Sequence, residues 1–242
     1  MKSIFTATLF VAILVVLSIN VFAQSESRDD LINQIKTKRA ELASIEKKLL
    51  EPSEEDRTTN AEFLRQPDTG LIRLLPRDVY DVVYRTSTGL AINGGGAYYS
   101  FTRLTHEYGQ GSDIELDHNY LSVGFAGADY GMLLNLGDIP LEEVTLEIPR
   151  ALFISTYQPP TLETEVRTEQ RRFGTEVLSD NVEYKNRLPL ATRNTFLVRS
   201  ISFNRSDVLV AFRVLRKDTD GSIIVTWKLL KKYPKPELAR NN

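Results

Sequence analysis

Apolar and polar positions alternate with a period of two along the last third of the chain, and this pattern organises everything else. Val208, Val210, Phe212 and Val214 fall on one side of an extended backbone, with Leu209, Ala211, Arg213 and Leu215 on the other. Ile223, Val225, Trp227 and Leu229 repeat the pattern against Ile224, Thr226, Lys228 and Leu230. Both runs are rich in β-branched and aromatic residues, which suit a pleated and packed surface. Between them lies Lys217-Asp218-Thr219-Asp220-Gly221, where Gly221 is placed to take the positive φ of a hairpin turn. Asn204-Arg205-Ser206-Asp207 reads as the matching polar turn before it. The strand upstream sets Leu197, Ile201 and Phe203 opposite Phe196 and Val198. Apolar residues on both faces of adjacent strands predict a sheet covered on two sides, as in a sandwich, a closed barrel or a sheet under a helix.

The middle of the chain, residues 88–136, mixes glycine with aromatic residues. Leu121, Val123 and Phe125 alternate with Ser122 and Gly124, and Met132, Leu134 and Leu136 resume the alternation, which predicts a strand pair joined by a glycine-containing turn. Val144, Leu146 and Ile148 predict one more strand, ending at Pro149. Asn93-Gly94-Gly95-Gly96 reads as a hairpin turn rather than a phosphate loop, since it has no lysine and is followed by Ala97-Tyr98-Tyr99-Ser100-Phe101. Glycine inside strands marks either a tight strand crossing or a surface left open for a ligand. Residues 157–193 are the least regular; within them Thr161 to Arg172 is expected to form a loop excursion or an exposed hairpin, with Arg167, Arg171 and Arg172 interleaved among Glu163, Glu165 and Glu169 as a solvated face, and Tyr184, Leu188 and Leu190 to re-enter the core.

Towards the N-terminus the period changes. Leu31, Ile35, Leu42, Ile45 and Leu49 follow heptad spacing, interrupted by Lys38; Ser27 with Asp30 forms a capping box and Pro52 marks the stop. This helix, 28–50, is expected either to dock on the β domain or to serve as a spacer or a self-association contact. Ser53-Glu54-Glu55-Asp56 predicts a second, short helix reaching Phe63 and Leu64. Ahead of both, Lys2 precedes an apolar run that ends at Val21-Phe22-Ala23, the pattern of a signal peptide cleaved before Gln24. The competing reading is an uncleaved anchor, because the run approaches the ~20 residues that span a bilayer. The expected organisation is a signal peptide at 1–23, a helical, partly coiled-coil-like lead at 24–85, a β-rich domain at 86–233 and a flexible tail at 234–242. Cleavage would leave no stable membrane span.

Composition narrows the chemistry. The 242 residues include no cysteine, which removes disulfides, thiol catalysis and cysteine-ligated metals, and a net charge of −2 offers no overall electrostatic footprint for nucleic acid. Two histidines, His106 and His118, are too few for a three-histidine metal site within one chain. Polar residues concentrate at His106-Glu107-Tyr108 and at Asp113, Glu115, Asp117 and His118, with Asp129 further on. On an extended strand the carboxylates of Asp113, Glu115 and Asp117 share one face, which suits either a hard cation or, more simply, a solvated edge strand. His106-Glu107 begins like a zinc-peptidase helix, but Gln110 stands where the second histidine belongs.

The sequence therefore predicts a mainly β protein, an antiparallel sandwich or barrel-like domain preceded by an N-terminal α-helical segment. Its expected role is non-enzymatic: binding or structural, exported to the periplasm or beyond, with no catalytic residue, metal or cofactor assigned. His106, Glu107, Asp113, Glu115, Asp117 and Asp129 are the candidate ligand-binding residues, and Tyr98, Tyr99 and Tyr120 the candidate exposed aromatic patch. The alternative is an exported carboxylate-dependent hydrolase acting on glycans, which requires at least two of those acids to converge in a cleft.

Overall fold

A computed structural model describes residues 27–80, 96–106, 108–109 and 111–239. The signal-peptide reading, most of the Asn93-Gly94-Gly95-Gly96 turn and Glu107 lie outside the described residues. In chain order the elements are α1 (Arg28–Leu50), α2 (Glu54–Thr59), β1 (Thr69–Leu74), α3 (Arg77–Tyr80), β2 (Tyr98–Tyr99), β3 (Ile114–Asp117), β4 (Tyr120–Ser122) and β5 (Tyr130–Gly137). They continue with α4 (Leu152–Thr156), α5 (Glu163–Thr175), β6 (Val177–Ser179), β7 (Val182–Tyr184), β8 (Arg187–Pro189), β9 (Thr195–Ser202), β10 (Ser206–Lys217) and β11 (Ile223–Lys232).

The chain divides into two units, Met1–Lys48 and Leu49–Asn242. The first holds most of α1, which starts as its sequence predicts: Ser27 Oγ accepts from the Asp30 N–H at 3.1 Å and donates to the Asp30 carboxylate at 2.8 Å. Leu31, Ile35, Leu42 and Ile45 are exposed. No helix among the described residues is long and apolar enough to cross a membrane.

The second unit is mainly β, built from antiparallel sheets packed together. Its five-stranded sheet runs β1-β11-β10-β9-β5, with every neighbouring pair antiparallel. One face carries Val198, Val208, Val210, Phe212, Val225 and Trp227, and packs on Tyr99, Ile114, Leu116 and Leu121 from the four-stranded sheet β2-β3-β4-β8 and on Phe101 and Val123 just beyond its strands. The other face carries Met132, Leu134, Leu197, Ile201, Leu209 and Ala211 under Ile154 of α4 and Val166 and Phe173 of α5. The two-sided apolar pattern thus has a separate cover on each side, a second sheet below and helices above. Each fully enclosed Leu, Val, Ile or Phe adds roughly 1.5–3 kcal/mol of burial free energy. Gly221 closes the β10–β11 hairpin at φ +86, as its turn requires.

Several elements depart from the sequence pattern. The runs around Val123 and Leu134 are not a hairpin: β4 pairs with β3 and β8, whereas β5 pairs with β9 in the other sheet. Gly124 and Gly131 lie at this crossing, and a Cβ at Gly131 would stand 2.2 Å from the Arg199 carbonyl oxygen. Val144 is buried, yet its surroundings are 3₁₀ turns at Leu141–Glu143 and Pro149–Ala151 leading into α4, because Pro140 and Pro149 interrupt any ladder. The stretch expected as a loop or exposed hairpin contains α5, whose only buried side chains, Val166 and Phe173, are two helical turns apart. β1, placed by the sequence in the helical lead, is an edge strand of the main sheet, paired with β11 from Thr69↔Lys228 to Leu74↔Ile223. The tail is docked: the Asn204 N–H donates to the Pro236 carbonyl, and Ala239 exchanges backbone hydrogen bonds with Thr161 and Glu163.

Candidate functional site

The described polar residues singled out by sequence are each engaged by a different structural partner. Asp113 and Glu115 are not on a solvated edge strand; β3 lies between β2 and β4, and both carboxyls are buried. Asp113 Oδ2 accepts from the Phe101 N–H at 2.7 Å and from Ser100 Oγ at 3.3 Å, fixing the turn in which Ser100 N–H meets the Thr105 carbonyl. Burial pushes the Asp113 carboxyl up to about 6 despite these hydrogen bonds. Glu115 receives Arg77 Nη1 at 2.9 Å, and burial holds its carboxyl above the usual range. Asp117 is half-buried between Arg187 at 3.1 Å and His118 at 2.9 Å. Asp129 caps the end of β9, accepting from the Phe203 N–H and from Ser202 Oγ, both at 3.1 Å, and burial raises its pKa.

His106 is equally committed. Its Nε2–H donates to the Arg73 carbonyl at 2.8 Å, its ring meets Tyr99 edge-on, and burial depresses its pKa towards the neutral imidazole. Of the tyrosines expected on the surface, Tyr98 and Tyr99 are buried, and burial pushes the Tyr99 hydroxyl up to about 12. Tyr120 alone of the three is exposed, with the Arg187 guanidinium 4.2 Å above its ring. No two of the described candidate acids share a partner, and none of them lines the cleft described next. Among the described residues no group of three His, Asp or Glu side chains is arranged to hold a metal ion.

A cleft of about 510 Å³ opens where three segments distant in sequence meet: the loop holding Thr102, Arg103 and Gly111, the turn and first residues of β10 from Arg205 to Val208, and the end of β11 with Lys232, Tyr233 and Lys235. Four of its lining residues, Arg103, Arg205, Lys232 and Lys235, are cationic and exposed. The one carboxylate among its described lining residues, Asp207, is buried and committed to Arg199, whose Nε and Nη2 donate to the two Asp207 oxygens at 2.9 and 2.8 Å. The same guanidinium donates through Nη1 to the carbonyls of Ile154 and Tyr157, and lies 3.7 Å from the Tyr233 ring centre. Tyr233 in turn donates its hydroxyl to the Ser155 carbonyl at 2.7 Å. The cleft wall is therefore tied together by hydrogen bonds on its inner side, with Lys232 and Lys235 exposed on its outer one. Ser206 Oγ, on that wall, is buried and has no hydrogen-bond partner among the described residues.

These four cations escaped sequence reasoning because Arg205 looks like any turn residue and Lys232 and Lys235 like a solubilising end. The only local signal is Lys235 held between two prolines, Pro234 and Pro236, which a disordered tail does not need. Compared with known protein families, with curated proteins and with solved structures, the chain matches none.

Proposed function

We propose that this chain is an exported, non-enzymatic binding protein whose β unit takes an anionic ligand in the cleft lined by Thr102, Arg103 and Gly111, the β9–β10 turn and the C-terminal segment. The supporting observation is Lys232 and Lys235, exposed along a cleft whose described carboxylate, Asp207, is turned inward to Arg199. A concave, low-dielectric wall focuses such a field and raises the local concentration of anions. Export is inferred from the apolar run after Lys2 and its Val21-Phe22-Ala23 end. The heptad positions of α1 support a spacer or a self-association contact that holds the binding unit away from its attachment or in pairs.

Thermal melting of the chain with millimolar phosphate, citrate and acetate tests the binding reading. A midpoint that rises with anion and not with a neutral sugar is expected, since a ligand held only by the native state stabilises it by mass action. The rise should disappear in Lys232→Gln/Lys235→Gln. Equal midpoints in every anion would reject the cleft as the binding seat. Cell fractionation tests export: the native chain should leave the cytoplasm, and Ile13→Arg/Leu14→Arg, which breaks the apolar run, should retain it.

A further inference from the structure

The apolar residues of α1 form a seam at heptad spacing, Leu31, Ile35, Lys38, Leu42, Ile45 and Leu49, with Lys38 its single charge. No side chain of the helix is buried; Ile45 is 63% exposed, and Ile35 and Leu42 are 51% exposed each. Leu49 and Leu50 pack on Leu75 and Tyr80, which fixes the last turn and removes part of the nucleation cost that a free helix bears. Arg39 and Glu46 flank one side of the seam, and Glu41 and Lys48 the other. Lys38 is tied to Glu41 of its own helix at 2.8 Å.

Reversed end to end, the seam matches itself. Turned about a two-fold axis at Ala40, Leu31 meets the partner's Leu49, Ile35 the partner's Ile45 and Lys38 the partner's Leu42, each contact made twice. Glu41 then lines the hole that receives the partner's Lys38, so cations and carboxylates alternate at the centre. Arg39 faces the partner's Arg39 on the outer flank, where long side chains splay into water and the repulsion is small.

A parallel pair in register encloses the same leucines and isoleucines, so apolar burial does not choose between the two orientations. Charge does. Parallel pairing sets Lys38 against the partner's Lys38 inside the seam and Glu41 against the partner's Glu46 on both flanks. An antiparallel pair moved along by one heptad joins Arg39 to the partner's Glu46 and Glu41 to the partner's Lys48, but it leaves Leu31 and Ile35 in water. Enclosing such side chains outweighs exposed ion pairs.

We propose that α1 is the docking surface for a second copy of this chain, the two helices pairing antiparallel about Ala40. The assignment rests on the self-association reading of the heptads and adds the orientation and register of the partner.

Sedimentation equilibrium of the purified chain beginning at Gln24 should give a dimer, and Ile35→Glu/Ile45→Glu should give a monomer with the same melting midpoint. A native monomer, or a dimer that survives those substitutions, would overturn the self-association reading and this pairing together. Because the chain has no cysteine, single cysteines report the orientation directly. Under mild oxidation a mixture of Ile35→Cys and Ile45→Cys chains should form the mixed disulfide, while each alone stays uncrosslinked, its two sulfurs lying about 15 Å apart along the helix axis. Each variant crosslinking to itself identifies a parallel pair, which overturns the orientation and leaves self-association standing. A Leu42→Cys and Ile45→Cys mixture crosslinking in preference to the first one moves the axis and overturns the register. Glu41→Lys gives a readout of opposite sign in the two orientations: it should weaken the antiparallel dimer about fivefold or more, with recovery in Lys38→Glu/Glu41→Lys, whereas a parallel pair would tighten as Glu41 leaves the partner's Glu46.

Discussion

Arg199 is a fully enclosed side chain, and four of its hydrogen bonds join β9 to β10 and to the α4 end of the helical layer. Removing it leaves Asp207 charged and enclosed, a situation that costs about 3–5 kcal/mol. Urea denaturation of Arg199→Met should show a loss of that order, and adding Asp207→Asn should recover much of it because no charge is then stranded. Asp113 acts through pH. Its native carboxyl is raised from 3.8 to about 6 by burial, so the native state binds the proton more tightly than the unfolded chain does. Its contribution therefore falls as pH rises from about 4 to about 6 and stays level above, a cost on the order of 2–3 kcal/mol at neutral pH. Asp113→Asn keeps an acceptor for the Phe101 N–H and removes the titration. Stability measured at about pH 4.5 and about pH 7.5 should fall less between the two in the variant than in the native chain. An identical fall in both would show that Asp113 ionises freely when folded.

At the scale of elements, alternation finds β9, β10 and β11, whose two faces are both apolar, and also β4 and β5, but places a strand at Val144–Ile148 where there is none. The helix it misses, α5, buries only Val166 and Phe173 and is otherwise charged, so its stripe is too narrow to see against the Glu and Arg around it. Those two side chains nevertheless reach the core under β5. Phe173→Ala should cost about 3–5 kcal/mol in equilibrium unfolding, whereas Thr168→Ala, on the exposed side of the same helix, should stay within about 0.5 kcal/mol. The β5–β9 crossing makes a second test. Gly131→Ala forces a methyl against the Arg199 carbonyl of the neighbouring strand, a backbone atom that cannot swing away. Gly127 has open space around its missing Cβ and only its φ of +60 to lose. Thermal melts should therefore rank Gly131→Ala well below Gly127→Ala, which costs only the ~1–2 kcal/mol of a left-handed residue.

For the whole molecule, each of the three apolar clusters of the second unit is built from residues at or beyond Leu49. A chain lacking residues 24–48 should consequently unfold with the same cooperative midpoint as the intact one. Sedimentation of the two forms then reads the role of α1: a drop in mass on deletion identifies it as a self-association contact, and equal masses leave it a spacer. The docked C-terminal segment belongs to the same scale, because it closes one wall of the cleft and meets Asn204 at the β9–β10 turn and Thr161 and Glu163 at the start of α5.

Local chemistry wrote the hairpins, the Gly221 turn and the two serine caps, since each is decided by residues within a few positions of one another. The two-sided apolar strands likewise announced that both faces of the sheet are covered. Only the tertiary structure decided what covers them, that β1 joins β11 from the far end of the chain, and that β4 and β5 part into different sheets. It also turned Asp113 and Glu115 inward and assembled the cleft from Thr102, Arg103 and Gly111 and two stretches about a hundred or more residues further on. Alternation reports that a side chain is buried and not against what; the partner is chosen by long-range packing, where many pairings satisfy the same pattern and their small differences in enclosed area and unmet polar groups select one.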